Sequence, residues 1–396
     1  MENKLLHTPE GVRDIYNDEC EKKHALLSRM RAVIHSFGYR FIETPTFEFS
    51  DIFGNEVGTT PSKELYKFTD REGNTLALRP DITPSVARAA SKYFPIENKP
   101  VRLCYQGNVF INNNSYQGRL KESTQLGVEF IGENSVDADS EIIALVVKNL
   151  REAGLEDFQI SIGHANLFRG LVKAAGFSPE EVEQLKTLIQ NKNFFGVEAF
   201  ISEYNLSKEL VGLFNILGKM YASPKEWDFA FSLAADYPEI EEALSYLKKL
   251  YELLEIYDVT KYISFEMGLI STYQYYTGIL FSGYTFGSGE PIVKGGRYDG
   301  LLSYFGKNAP AIGFALMVDQ LLLALERQKI EVDMEKQQEV ILYTENNRKI
   351  AVATAEELRN EGKVVTLVRM DDKKGSLAEY QEKYQGNKLT VLDGEF

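Results

Sequence analysis

The run Leu78-Arg79-Pro80-Asp81-Ile82-Thr83 sets an acidic side chain two residues from a hydroxyl. Such a pair suits a bound ammonium, which both groups can accept from in charge-assisted fashion. The same residues also read as a capped turn ahead of a helix, with Thr83 and Pro84 in its N-terminal positions, and the two readings are compatible. A second candidate is the turn Gly295-Gly296-Arg297-Tyr298-Asp299-Gly300-Leu301. Its glycines allow positive φ and close backbone approach, which loops of many functions need, so alone it is a weak signal. A third is the tyrosine pair in Tyr273-Gln-Tyr275-Tyr276-Thr-Gly-Ile-Leu-Phe281, which also reads as a β-strand pair alternating inside and out.

Other chemistry is sparse. The two cysteines, Cys20 and Cys104, form no CxxC, and the histidines His7, His24, His35 and His164 form no HExxH. No metal site is expected, and the cysteines read as idle or buried thiols of a reducing compartment. The formal charge is −14 over 396 residues, so the global field repels a polyanion such as tRNA. The N-terminus lacks a signal-peptide apolar run and no stretch approaches a membrane span, which predicts a cytoplasmic location. With 44% hydrophobic residues the chain can bury a sizeable core.

The elements that must position these residues follow from periodicity. Apolar positions recur at helical spacing over Glu19 to Phe37, and Gly38 stops the helix. A strand over Tyr39 to Thr44 ends at Pro45. Alternating segments at Leu65–Thr69, Thr75–Arg79, Val101–Phe110 and Ser123–Gly132 read as antiparallel strands, with helices over Pro84–Tyr93 and Asp137–Ala153. From about Leu167 to Tyr257 the chain reads as a helical, acidic insertion between two halves of one sheet, with Ser178-Pro-Glu-Glu as a helix start. Strands return at Ile263–Met267, Tyr275–Ser282, Pro291–Lys294 and Ala311–Leu316, and a helix from Val318 to Gln328 closes a domain spanning 1–328. Residues 329–339 read as a charged linker. Beyond it, 340–396 reads as a small α/β unit: strands at Val340–Tyr343, Val364–Val368 and Lys388–Leu392, helices at Arg348–Glu361 and Ser376–Tyr384.

Taken together, these segments resemble histidyl-tRNA synthetase over nearly the whole chain. Thr8-Pro-Glu-Gly-Val-Arg-Asp14 looks like its N-terminal signature, and the helix, strand and Pro45 unit looks like motif 1 of class II synthetases, which builds a dimer interface in that family. The resemblance implies an α+β fold: a class II synthetase-like antiparallel sheet flanked by helices, with a helical insertion and a small C-terminal domain similar to an anticodon-binding remnant. It also places Asp81 and Thr83 at the α-amino group of a bound histidine. Arg102 to Gly132 is similar to motif 2, in which Arg119, Gln125, Gly127 and Glu129 match, Gln125 and Glu129 belonging to the histidine pocket. Tyr275 and Tyr276 match the tyrosines of the histidine-specific loop, where Tyr276 could pack against or hydrogen-bond an imidazole.

Seven positions depart from that family. Its ATP-contacting arginines fall on Ile111, Ser271 and Gln320, while Asn113, Ser123, Gln274 and Met317 replace further expected residues. An isoleucine cannot neutralise a developing phosphate charge. Each such contact is worth roughly 3 kcal/mol in the transition state, so several losses remove adenylation even without additivity.

This pattern of retained and lost residues is similar to the regulatory subunit of ATP phosphoribosyltransferase. The resemblance implies a chain without its own catalysis and without cofactor or metal, required by a short catalytic subunit for the first step of histidine biosynthesis. It implies L-histidine as feedback effector, and a homodimer within a hetero-octamer. A divergent histidyl-tRNA synthetase and a free-standing histidine sensor are the alternatives. Histidine could act in the synthetase-like pocket or at a subunit interface.

Overall fold

A computed structural model describes residues 6–54, 60–97, 99–113, 120–270, 275–333, 338–371 and 375–392. The chain divides into two compact units, 1–332 and 333–396.

The larger unit opens with α1 (Asn17–Ser36), whose Leu26, Leu27, Met30, Val33 and Ile34 are buried. Strand β1 (Arg40–Phe41) follows, then a separate small sheet of β2 (Phe47–Phe49), β3 (Lys67–Thr69) and β4 (Thr75–Leu78). Helix α2 (Thr83–Tyr93) leads to the long pair β5 (Val101–Phe110) and β6 (Glu122–Ile131). Helix α3 (Val136–Glu152) starts at Ser135, whose side chain accepts from the Ala138 N–H. Strand β7 (Phe158–His164) then enters the helical insertion: α4 (Ala165–Ala175), α5 (Pro179–Gln190), α6 (Phe194–Ser202), α7 (Lys208–Asn215), α8 (Asp228–Ala234) and α9 (Pro238–Ile256), with the short strand β8 (Met220–Tyr221) between α7 and α8. The sheet resumes with β9 (Ile263–Glu266), β10 (Ile279–Thr285), β11 (Val293–Arg297) and β12 (Ala311–Met317), and α10 (Val318–Arg327) ends the fold.

The described residues place nine strands in the main sheet, in the order β1-β5-β6-β12-β11-β10-β7-β9-β8. It is mixed: β1 with β5 and β7 with β9 run parallel, and the other pairs are antiparallel. Side chains alternate across it. Leu126, Val128 and Phe130 of β6 and Ile312, Phe314 and Leu316 of β12 join one core with α1, α3 and the insertion. Leu103, Tyr105, Ile131 and Ala311 join a smaller core with Val86 and Ala90 of α2 on the opposite face. Period-two alternation thus gives the middle of the sheet one largely apolar face, with the buried Arg297–Asp139 pair at its edge, and one face where polar side chains can gather.

The smaller unit is a three-stranded parallel sheet: β13 (Glu339–Tyr343) pairs with both β14 (Val365–Arg369) and β15 (Lys388–Leu392). Helices α11 (Arg348–Asn360) and α12 (Leu377–Lys383) connect them. Ile341, Ala351, Ala355 and Val365 form its core.

The structure departs from the sequence expectations in five places. Strand β2 has no counterpart among the expected strands. The strand expected from Tyr275 begins only at Ile279, because Thr277 and Gly278 give their backbone groups to Arg297 and Ala165 in isolated bonds and not to a ladder. The strand expected over Tyr39–Thr44 pairs at two residues only. The Arg79 guanidinium takes the Thr44 carbonyl at 2.9 Å and so removes it from any ladder. Strand β7 was not expected, although Phe158, Ile160 and Ile162 alternate. The insertion is not purely helical, since β8 pairs with the edge of β9.

Candidate functional site

The polar face of the sheet carries one concentrated cluster. Asp81 and Thr83 arrive from the turn between β4 and α2, Gln125 and Glu129 from β6, Lys294 and Gly296 from β11, Tyr298 just beyond it, and Gly313 and Met317 from β12; these line one pocket with Tyr275 and Tyr276. In register, Glu129 lies opposite Gly313 and Gln125 opposite Met317. A Cβ at Gly313 would run into the Glu129 carboxylate and the Val128 carbonyl, so the glycine makes room for the acid. A Cβ at Gly296 would strike the Tyr276 ring at 2.7 Å.

Glu129 is the centre of the cluster and is only 1% exposed. The Thr83 hydroxyl donates to its Oε1 at 2.8 Å, and the Tyr298 hydroxyl donates to its Oε2. Burial pushes the Glu129 carboxyl up to about 8, outweighing the hydrogen bonds from Tyr298 and Thr83. Burial also pushes the Asp81 carboxyl up to about 6, although its Oδ1 accepts from the Ile82 N–H at 2.8 Å. A cation entering between two such acids would lower both values and expel a proton. The Gln125 Oε1 is buried and finds no hydrogen-bond partner among the described residues, while Nε2 faces the Met317 sulfur at 4.0 Å. A buried acceptor of this kind is costly to leave unmade and is met by a ligand donor at little further cost.

The frame around the pocket is charged and buried. The Arg297 guanidinium grips Asp139 of α3, reaches the Glu133 carbonyl at 3.1 Å and pairs with Asp299 at 3.2 Å. Tyr246 of α9 donates to the same Asp139 at 2.7 Å. The Tyr275 and Tyr276 rings lie 4.7 Å apart, and Tyr275 meets Tyr298 edge to face at 5.8 Å.

Of the residues expected from sequence, Asp81, Thr83, Gln125, Glu129, Tyr275 and Tyr276 come together in this pocket. Arg119 and Ser271 lie outside the described residues. Ile111 sits past the end of β5, where its N–H bonds the Lys121 carbonyl at 2.9 Å. Gln320 lies on α10 with Oε1 buried and without a partner among the described residues. Two pocket residues were missed. Tyr298 was signalled by the Gly-Gly-Arg-Tyr-Asp turn but not singled out, and Lys294 passed as one residue of a strand.

Among the described residues there is no group of three His, Cys, Asp or Glu side chains that could hold a metal ion, and no helix long and apolar enough to cross a membrane.

Comparison with known proteins agrees with this arrangement. The family model described as histidyl-tRNA synthetase matches residues 11–321. An ATP phosphoribosyltransferase regulatory subunit of Acetivibrio thermocellus is 38% identical over 395 residues, covering 98% of this chain and 93% of that protein. A crystal structure described as an ATP phosphoribosyltransferase regulatory subunit/histidyl-tRNA synthetase from Bacillus halodurans superposes with a TM-score of 0.87 at 31% identity, covering 99% of each chain. Histidyl-tRNA synthetase of Nostoc sp. PCC 7120 shares the fold, with a TM-score of 0.82 at 18% identity over 98% of this chain and 92% of that one. By length, identity and fold, the chain belongs to the ATP phosphoribosyltransferase regulatory subunit family, built on the histidyl-tRNA synthetase architecture.

Proposed function

We propose that this chain is the non-catalytic regulatory subunit of an ATP phosphoribosyltransferase. It is required by a short catalytic subunit, and L-histidine acts through it as the feedback inhibitor of the first step of histidine biosynthesis. The observation that carries the reading is a split within one site. The cluster of Asp81, Thr83, Glu129 and Tyr298 is assembled around one buried acid with Met317 against Gln125, while by family resemblance Ile111 and Gln320 take the positions of the synthetase's ATP-contacting arginines.

In this reading Asp81 and Thr83 take the α-amino group of histidine. Gln125, Glu129 and Tyr276 face its imidazole, and Lys294 also lines the pocket. Arg119 belongs to the same set by family resemblance. Inhibition is then a coupling free energy between histidine binding and the conformation of the catalytic chain, typically about 1–3 kcal/mol. Regulatory dimers form through α1 and β1, where Phe41 lies exposed on the sheet edge beneath the Arg31 guanidinium at 4.4 Å. These dimers join catalytic dimers in a hetero-octamer in the cytoplasm.

The test is phosphoribosyltransferase activity of a cognate short catalytic subunit with and without this chain, titrated with histidine. Activity that appears only with the chain and falls with histidine is the expected result. No activation, together with ATP–pyrophosphate exchange by the chain alone, would move the reading to a divergent histidyl-tRNA synthetase. Histidine binding without any effect on the catalytic subunit would move it to a free-standing histidine sensor. Inhibition that survives Glu129→Ala would place the effector at another site, such as a subunit interface.

A further inference from the structure

The segment from Tyr275 to Gly278 carries two of the pocket's tyrosines and is held from two sides. On one side stands α4, the first helix of the insertion. The Arg169 guanidinium donates through Nη2 to the Tyr276 carbonyl at 2.7 Å, and the Ala165 N–H donates to the Gly278 carbonyl at 2.9 Å. Arg169 also reaches the Asn166 Oδ1 through Nη1 at 3.4 Å. The start of α4 is itself fixed, because His164 Nδ1 accepts from the Asn166 N–H at 3.2 Å.

On the other side stands the end of β11. The Thr277 N–H donates to the Arg297 carbonyl at 2.8 Å, and the Thr277 hydroxyl donates to Asp299 at 3.0 Å. The Arg297 guanidinium continues through Asp139 to Tyr246 of α9. Two helices of the insertion therefore end on groups that set the pocket wall. The link through Arg169 is direct, charge-assisted and made to backbone, so Tyr276 cannot change its backbone position without moving the guanidinium or breaking the bond.

Resting on the reading of the pocket as a histidine site, we propose that Arg169 is a positioning residue for Tyr276. Through it, α4 transmits occupancy of the pocket into the helical insertion. The linkage is reciprocal: a ligand that fixes Tyr276 steadies α4, and loosening α4 weakens the ligand.

The test combines calorimetric titration of the full chain with L-histidine and backbone hydrogen exchange, with and without histidine, on wild type, Arg169→Ala and Arg169→Lys. Wild type is expected to gain protection at the start of α2, near Thr83, and along α4. Arg169→Ala should bind histidine about tenfold more weakly, the scale of one lost hydrogen bond to a charged group. It should keep the protection at α2 and lose that at α4. Arg169→Lys retains a cation for the carbonyl without the fork that also reaches Asn166, and should fall between the two. Because Arg169 is exposed, the native near-ultraviolet circular dichroism should persist in both variants. Wild-type affinity and wild-type protection of α4 in Arg169→Ala would overturn the inference while leaving the histidine site intact. No binding of histidine by wild type would overturn the site and the inference together.

Discussion

Thr83 and Glu129, 46 positions apart, meet where the first turn of α2 abuts the last residues of β6: the threonine hydroxyl donates to the carboxyl Oε1 at 2.8 Å. From the other side Tyr298 donates to Oε2, so a single buried acid is gripped by a helix start and by the residue that follows a strand. The Thr83 hydroxyl spends its hydrogen on the acid, and the helix start at Ile82 carries no side-chain cap. This geometry holds an acid-and-hydroxyl pair in fixed register, which is the arrangement the proposed histidine site would use for a cation.

The contribution of Glu129 to the unfolding free energy should fall as pH rises from about 4.5 to 8, while His164, pushed down to about 4 by burial, acts in the opposite sense up to about 6.5. Glu129 keeps its proton in the folded chain up to about 8, whereas the unfolded value is near 4.5. The folded state thus binds more protons across this window, and stability present below 4.5 is lost as pH climbs, by up to about 1.4 kcal/mol per pH unit from this group. Asp81, raised to about 6, acts in the same direction over the lower part of the range. Urea titrations at several pH values should show a steep wild-type slope and a flatter one for Glu129→Gln. Equal slopes would mean that Glu129 ionises as an ordinary carboxyl.

Histidine binding between pH 7 and 8 should release protons, because a cationic ligand group favours the charged form of Glu129. Calorimetry in buffers of differing ionisation enthalpy reads this as buffer-dependent heat. The dependence should vanish in Glu129→Gln, whose residual binding should be at least tenfold weaker, as expected when a buried charge pair is removed.

Gly313→Ala tests the space that the acid occupies. The added methyl overlaps the Glu129 carboxylate and the Val128 carbonyl. Overpacking of this kind costs about 1–3 kcal/mol. Thermal melting should show the loss, and histidine affinity should fall along with it. A variant of wild-type stability and affinity would mean that β6 and β12 can separate locally without consequence.

Asp139→Ala should be among the more damaging single changes, at about 3 kcal/mol, because it takes the main partner from the buried Arg297 guanidinium, leaving it Asp299 and the Glu133 carbonyl, and leaves the Tyr246 hydroxyl without its acceptor. By contrast, Lys173→Ala breaks the exposed pair with Glu239 and should change stability by less than about 1 kcal/mol. Chemical denaturation of both variants under one condition makes the comparison.

Much of the architecture was legible because its signals are local. Ser178 starts its helix as expected, and the three strands of the small unit fall within a residue or two of their apolar runs. The pocket was legible wherever motif residues lie in contiguous sequence, as in Asp81-Ile-Thr83 and Gln125 to Glu129. What escaped depends on long-range partners. Tyr275 and Tyr276 read as strand, because periodicity does not report that Arg169 and Arg297, 107 and 21 positions from Tyr276, occupy the backbone on either side of them. Tyr298 escaped because its role exists only once Glu129 is opposite. Strand β7 escaped although its alternation was in plain view.

The sheet divides its labour between two surfaces. The apolar surface holds the fold together; the polar one, with Glu129 kept neutral against its chemistry, works against stability as pH rises. Replacing Glu129 by an uncharged or oily residue would remove that pH-dependent cost but leave the Thr83 and Tyr298 hydroxyls without their common acceptor, so the acid cannot be exchanged for stability unless both donors are rebuilt with it.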